Sequence, residues 1–102
     1  APVFHIIDEL LKGKATVAVY DPEAMAGARA RYWDRIEYAE SSYGALQGAD
    51  ALVICTEWNE YRSPDFDRLK TLLKQPVIFD GRNLYAPAAM QALGFTYISI
   101  GR

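Results

Sequence analysis

Leu52-Val53-Ile54-Cys55 followed by Thr56-Glu57-Trp58-Asn59 is an apolar run that turns abruptly polar, and the same break recurs on either side of it. Upstream, Val17 to Tyr20 runs into Asp21-Pro22; downstream, Val77 to Phe79 runs into Asp80-Gly81-Arg82-Asn83. Short apolar runs bounded by turn residues read as buried strands of a parallel sheet. If they are parallel, their polar ends share one edge, and open α/β sheets bind ligands outside the carboxyl ends of their strands. The pattern therefore predicts a single pocket mouth formed by the Asp21, Thr56 and Asp80 turns.

Helical spacing fills the intervals. Val3, Phe4, Ile6, Ile7, Leu10 and Leu11 recur on one face, with Pro2 in the first turn and Gly13 just past the end. Glu23 to Trp33 predicts a second helix, in which Gly27 costs about 1 kcal/mol relative to alanine. Arg35 to Ala39 reads as an edge strand, and Ser41 or Ser42 caps a short helix around Tyr43 to Gln47 that ends at Gly48. Ser63-Pro64-Asp65 is a helix start, with the serine accepting from a free N–H, and Phe66, Leu69, Leu72 and Leu73 form the buried stripe that follows. Ala86 to Leu93 forms a small helix with Pro87 near its start and Gly94 at its end, and Tyr97 to Ile100 supplies the last strand. Five strands alternating with helices predict an α/β fold: a doubly wound, mainly parallel sheet with helices on both faces, one domain over residues 1–102.

Composition narrows the function. With 102 residues, 51% hydrophobic and 24% charged, the chain can bury one core but not two. A formal net charge of -2 and scattered rather than striped Lys and Arg argue against nucleic acid as a partner. One cysteine, Cys55, and one histidine, His5, allow neither a disulfide framework nor a His/Cys metal site, and they fit a reducing cytoplasm. No apolar stretch approaches the roughly 18 residues that span a bilayer, so no membrane partner is expected, and the start lacks a signal-peptide layout. Ala1-Pro2-Val3 begins inside a helical pattern without Met, which leads to the expectation of a piece of a longer protein.

The strand ends carry the candidate chemistry. In Asp80-Gly81-Arg82-Asn83, Gly81 permits a sharp turn and close ligand approach, and Arg82 offers a planar fork of donors matched to phosphate or carboxylate. Asp80 orients that guanidinium or binds a hydroxyl; the plainer alternative is a turn cap at Asp80 and a surface ion pair at Arg82. In Thr56-Glu57-Trp58-Asn59, Trp58 stacks on a base or packs structurally, and Glu57 accepts from hydroxyls. Asp21 sits where dinucleotide folds hold a ribose, yet Gly-x-Gly-x-x-Gly is absent from the sequence, so Asp21-Pro22 alone reads as a turn. Cys55 lies in an apolar strand and reads as a buried, inert thiol; His5 reads as a surface or boundary residue. No catalytic residue, metal or bound cofactor is assigned to this chain.

Ala49 to Trp58, Pro76 to Asn83, the Val19-Tyr20-Asp21-Pro22 turn and the ending Gly94 to Arg102 together resemble the C-terminal domain of the UDP-glucose and GDP-mannose dehydrogenases, in the family's order and over nearly the whole chain. The resemblance implies a Rossmann-like domain in a three-part enzyme that oxidises a nucleotide sugar, UDP-glucose to UDP-glucuronate in the nearest members, in two NAD-dependent steps. It implies that NAD binds the N-terminal domain, that the catalytic cysteine lies in the larger part of the chain and is not Cys55, and that this domain is inactive alone. Arg82 matches the family arginine expected near UDP, with Asp80, Gly81, Asn83, Glu57 and Trp58 around it. The implied partners are a UDP-sugar, the N-terminal and central domains, and further copies in a homo-oligomer. The family's glycine-led first strand, a Phe-Lys loop and an Asp-Asp-x-Arg stretch ought to precede Ala1. The absent strand belongs between Thr16–Tyr20 and Leu52–Cys55, so the sheet is expected to close up directly, to borrow a strand from another copy, or to belong to a longer chain. The rival readings are a stand-alone α/β nucleotide-binding domain and a receiver-like regulatory module. The latter wants a lysine at a strand end, whereas Lys70 and Lys74 fall in a helix.

Overall fold

The computed structural model describes residues 2–57 and 59–99 and divides the chain into two compact units, residues 1–45 and 46–102. Every strand pairing among the described residues is parallel.

In the first unit, α1 (Pro2–Lys12) is followed by β1 (Ala18–Val19), α2 (Met25–Tyr32), a 3-10 turn (Trp33–Arg35) and β2 (Glu37–Tyr38). The α1 stripe works as its spacing predicts: Ile7 is buried with Val17, Tyr32 and Ile36, and Val3, Phe4, Leu11, Val19 and Tyr38 pack against that cluster. Leu10 stays exposed at the margin of the stripe. Tyr32 is fully buried, and its hydroxyl donates to Asp8 Oδ1 at 2.8 Å, with the Phe4 carbonyl also within reach at 2.9 Å, while Arg31 Nε donates to it. A buried phenol needs such partners, and here they tie α2 to α1. The left-handed residue that closes α1 is Lys14 (φ 64) rather than Gly13. Lys14 N–H donates to the Leu11 carbonyl and Ala15 N–H to the Leu10 carbonyl, so Gly13 does lie just past the helix and the left-handed closing residue comes one position later.

The chain passes from the first unit to the second through α3 (Ser42–Leu46), and Ser41, the first of the two candidate caps, accepts from Gly44 N–H. The second unit then runs β3 (Leu52–Ile54), α4 (Asn59–Arg62), α5 (Phe66–Leu72), β4 (Val77–Asp80), α6 (Pro87–Ala92) and β5 (Thr96–Ser99). Parallel neighbours require crossovers, which α4 and α5 supply before β4, and α6 before β5. The ladder order is β3-β4-β5, in register Leu52 with Ile78 and Ile78 with Tyr97. Leu69, Leu73, Ile78, Met90 and Phe95 are buried, and Phe66 meets Tyr85 and Phe95 edge-on at 5.3 and 5.9 Å. The cap of α5 is Asp65, whose Oδ1 accepts from Arg68 N–H, rather than Ser63: the helix starts later than the Ser-Pro-Asp signal places it.

The α/β fold with parallel pairing is as the sequence predicts, and among the described residues the strands pair in two ladders, β1-β2 and β3-β4-β5: β1 pairs with β2, and β3 with β4.

Candidate functional site

The β3-β4-β5 ladder brings its carboxyl ends together, so residues distant in sequence meet there. Arg82, on the turn after β4, donates from Nε at 3.2 Å and from Nη2 at 2.9 Å to Oε1 of Glu57, on the turn after β3. Oε2 of the same carboxylate accepts from Arg62 of α4 at 3.4 Å. All three side chains remain open to solvent, with Arg82 49% exposed. Exposed pairs of this kind add little stability, about 0–1 kcal/mol.

Asp80 supports this rim from beneath. It lies two residues after Ile78 on the central strand, on the same face, and both are fully buried. Its carboxylate accepts from Arg82 N–H at 2.8 Å, from Leu84 N–H at 2.7 Å and from the Tyr97 hydroxyl at 2.7 Å. An ionised group with no exposure has to be satisfied in this way. Asp80 thus fixes the turn that bears Arg82, while orientation of the guanidinium falls to Glu57. Gly81 N–H extends the ladder by donating to the Ile54 carbonyl. The left-handed residue of the turn is Asn83 (φ 56), not Gly81; asparagine tolerates that backbone better than most side chains. Asn83 Oδ1 accepts from the Ser99 hydroxyl at the end of β5. Trp58 lies outside the described residues.

Glu57, Asp80, Gly81, Arg82 and Asn83 therefore share one rim. Asp21 belongs to the first unit, where its Oδ1 accepts from Glu23 N–H and Ala24 N–H, the turn that Asp-Pro signals. Arg62 and Tyr97 are the residues that sequence reading missed. Nothing in the sequence shows that Tyr97 reaches Asp80 or which carboxylate Arg62 faces. Burial holds the Cys55 thiol above its usual pKa, which lowers its thiolate fraction at neutral pH. His5 is exposed on α1. Among the described residues no group of three His, Cys, Asp or Glu is placed to hold a metal, and no helix is long and apolar enough to cross a membrane.

Residues 1–87 match the model of the UDP-glucose/GDP-mannose dehydrogenase family, UDP binding domain. The chain is 45% identical to a UDP-glucose 6-dehydrogenase of Pseudomonas aeruginosa, with all of this chain and 24% of the relative covered. It is 44% identical to one of Rhizobium meliloti, covering 100% and 23%. The chain thus spans about a quarter of the length of the curated relatives it matches. Among solved structures, the UDP-D-ManNAc dehydrogenase of Pyrococcus horikoshii superposes with a TM-score of 0.58 over 95% of this chain and 29% of that one, at 19% identity, a likeness of fold.

Proposed function

We propose, on the premise that this chain belongs to the UDP-glucose/GDP-mannose dehydrogenase family, that its strand-end rim binds the nucleotide part of a UDP-sugar. The observation that carries this reading is Arg82: a half-exposed guanidinium on a turn pinned by a buried carboxylate, with donors directed to the rim. A planar fork suits phosphate oxygens. Glu57 holds that fork and Asn83 brings an amide group beside it, Gly81 leaves the backbone bare for close approach, Asp80 positions the turn, and Trp58 is the aromatic residue assigned to the base.

The whole enzyme, in this reading, oxidises UDP-glucose to UDP-glucuronate in the cytoplasm, with NAD as the hydride acceptor. The residues present here do not fit NAD: the glycine-rich turn is missing after β1, and Asp21 is engaged with its own backbone. We assign NAD and the reactive cysteine to the N-terminal and central parts of the longer enzyme. This domain contributes affinity and needs those parts, within a homo-oligomer, for chemistry.

Calorimetry with UDP, UDP-glucose, GDP-mannose and NAD tests the assignment. UDP and UDP-glucose should bind and NAD should not, and Arg82→Ala should weaken UDP by about 1–3 kcal/mol through loss of a charge-assisted bond. Unchanged UDP affinity in that variant removes Arg82 from the site.

A further inference from the structure

The guanidinium of Arg82 is held by one edge and open at another. Nε–H and one Nη2–H point along the same side edge, and both end on Oε1 of Glu57. The end edge, formed by Nη1 and the second Nη2–H, meets no acceptor among the described residues. A guanidinium can serve two anions at once through these two edges. Glu57 itself is shared, since Arg62 donates to its other oxygen. Arg62, Arg82 and Glu57 together carry a formal charge of one positive on the open side of the turn, with the buried Asp80 carboxylate beneath it.

We propose that Glu57 is a positioning residue for nucleotide recognition. It fixes the plane of Arg82 so that the end edge faces the ligand's diphosphate, and Arg62 offsets the carboxylate so that it does not repel that anion. This rests on the nucleotide reading of the rim. The arrangement lowers the ordering cost of binding, because a long, flexible side chain is already held in place. It also predicts that Glu57 and the diphosphate contact Arg82 together and do not compete for it.

The test is calorimetry of UDP and of uridine with the 102-residue chain, and with Glu57→Ala, Glu57→Gln, Arg82→Ala and the Glu57→Ala/Arg82→Ala double variant. Glu57→Ala should weaken UDP about fivefold to tenfold and leave uridine unchanged. Glu57→Gln should recover most of the loss, because its amide oxygen accepts the same two N–H groups. Glu57→Ala should add nothing once Arg82 is gone. If Arg82→Ala weakens UDP but Glu57→Ala binds it as tightly as the parent or tighter, the positioning role is overturned and the nucleotide reading stands. If the parent chain binds no UDP, the nucleotide reading falls and the inference with it. A nitrogen-15 spectrum of the Arg82 Nε–H gives a readout without nucleotide: ordered in the parent and in Glu57→Gln, averaged in Glu57→Ala. Equal averaging in all three overturns the holding role directly.

Discussion

Asp80 shows how a residue can be found in the sequence while the sequence leaves two roles open for it, of which the turn cap is the one its hydrogen bonds bear out. The apolar run followed by Asp-Gly-Arg-Asn marks a strand end, and the structure has the strand end at Asp80. What the run does not reveal is which way the carboxylate faces. The parity of the strand holds the answer, because Asp80 is two residues from Ile78 and shares its buried face. Three donors converge on it, so Asp80→Asn, which turns an amide N–H₂ toward groups that are themselves donors, should cost about 2–3 kcal/mol in urea denaturation. Tyr97→Phe removes a single donor and should cost about 1–2 kcal/mol. An Asp80→Asn midpoint equal to that of the parent would mean the carboxylate contributes nothing to the turn. Arg82 was legible for the opposite reason: a fork of donors at a strand end reads the same whether or not its partner is known. Its partner, 25 residues away, is fixed by the parallel register of β3 and β4, which no local pattern encodes.

Helix ends separate what local chemistry specifies from what it leaves open. At α6 the signal is complete: Pro87 opens the helix, Gly94 (φ 93) closes it, and Phe95 N–H reaches back to the Met90 carbonyl while Gly94 N–H reaches the Gln91 carbonyl. Gly94→Ala should lose about 1 kcal/mol or more, because alanine pays for a left-handed backbone and its Cβ would sit 3.1 Å from Lys70 Nζ. At α1 the glycine is present but one position early, and Lys14 takes the left-handed conformation. Lys14→Gly should therefore stabilise the chain by about 1 kcal/mol, read as a raised thermal midpoint. A neutral or destabilising Lys14→Gly would show that the lysine side chain has contacts worth more than the strain it bears. The strands were legible as apolar runs, and their number was right. Their grouping was not, since two-residue strands such as β1 and β2 carry no record of which neighbour they meet.

Across the whole molecule, each unit carries an Arg–carboxylate pair open to solvent, and in the first unit that pair also meets a buried phenol. There the Tyr32 hydroxyl, then the Arg31 guanidinium, hold Asp8 below the usual carboxylate pKa, and burial, then the Asp8 carboxylate, pushes Tyr32 above the usual phenol value. The sign of the first shift sets an acid limit. A carboxylate whose pKa is lower folded than unfolded adds stability that is fully present above about pH 4, near the unfolded value, and is lost as pH falls through the folded one. Tyr32 acts at the other end: with its folded pKa raised, its contribution holds below about pH 10 and is lost as pH rises through the folded value. Amide exchange reports the acid limit where it matters, at Glu37 and Ala39, whose N–H groups bond to the Val17 and Val19 carbonyls across the β1-β2 ladder. The free energy of opening at these two amides should fall between about pH 5 and pH 3 in the parent chain. In Asp8→Asn it should start lower at neutral pH and change less over the same window, because the asparagine has no proton to gain. Identical slopes in the two proteins would show that protonation of Asp8 does not govern the acid stability of the first unit.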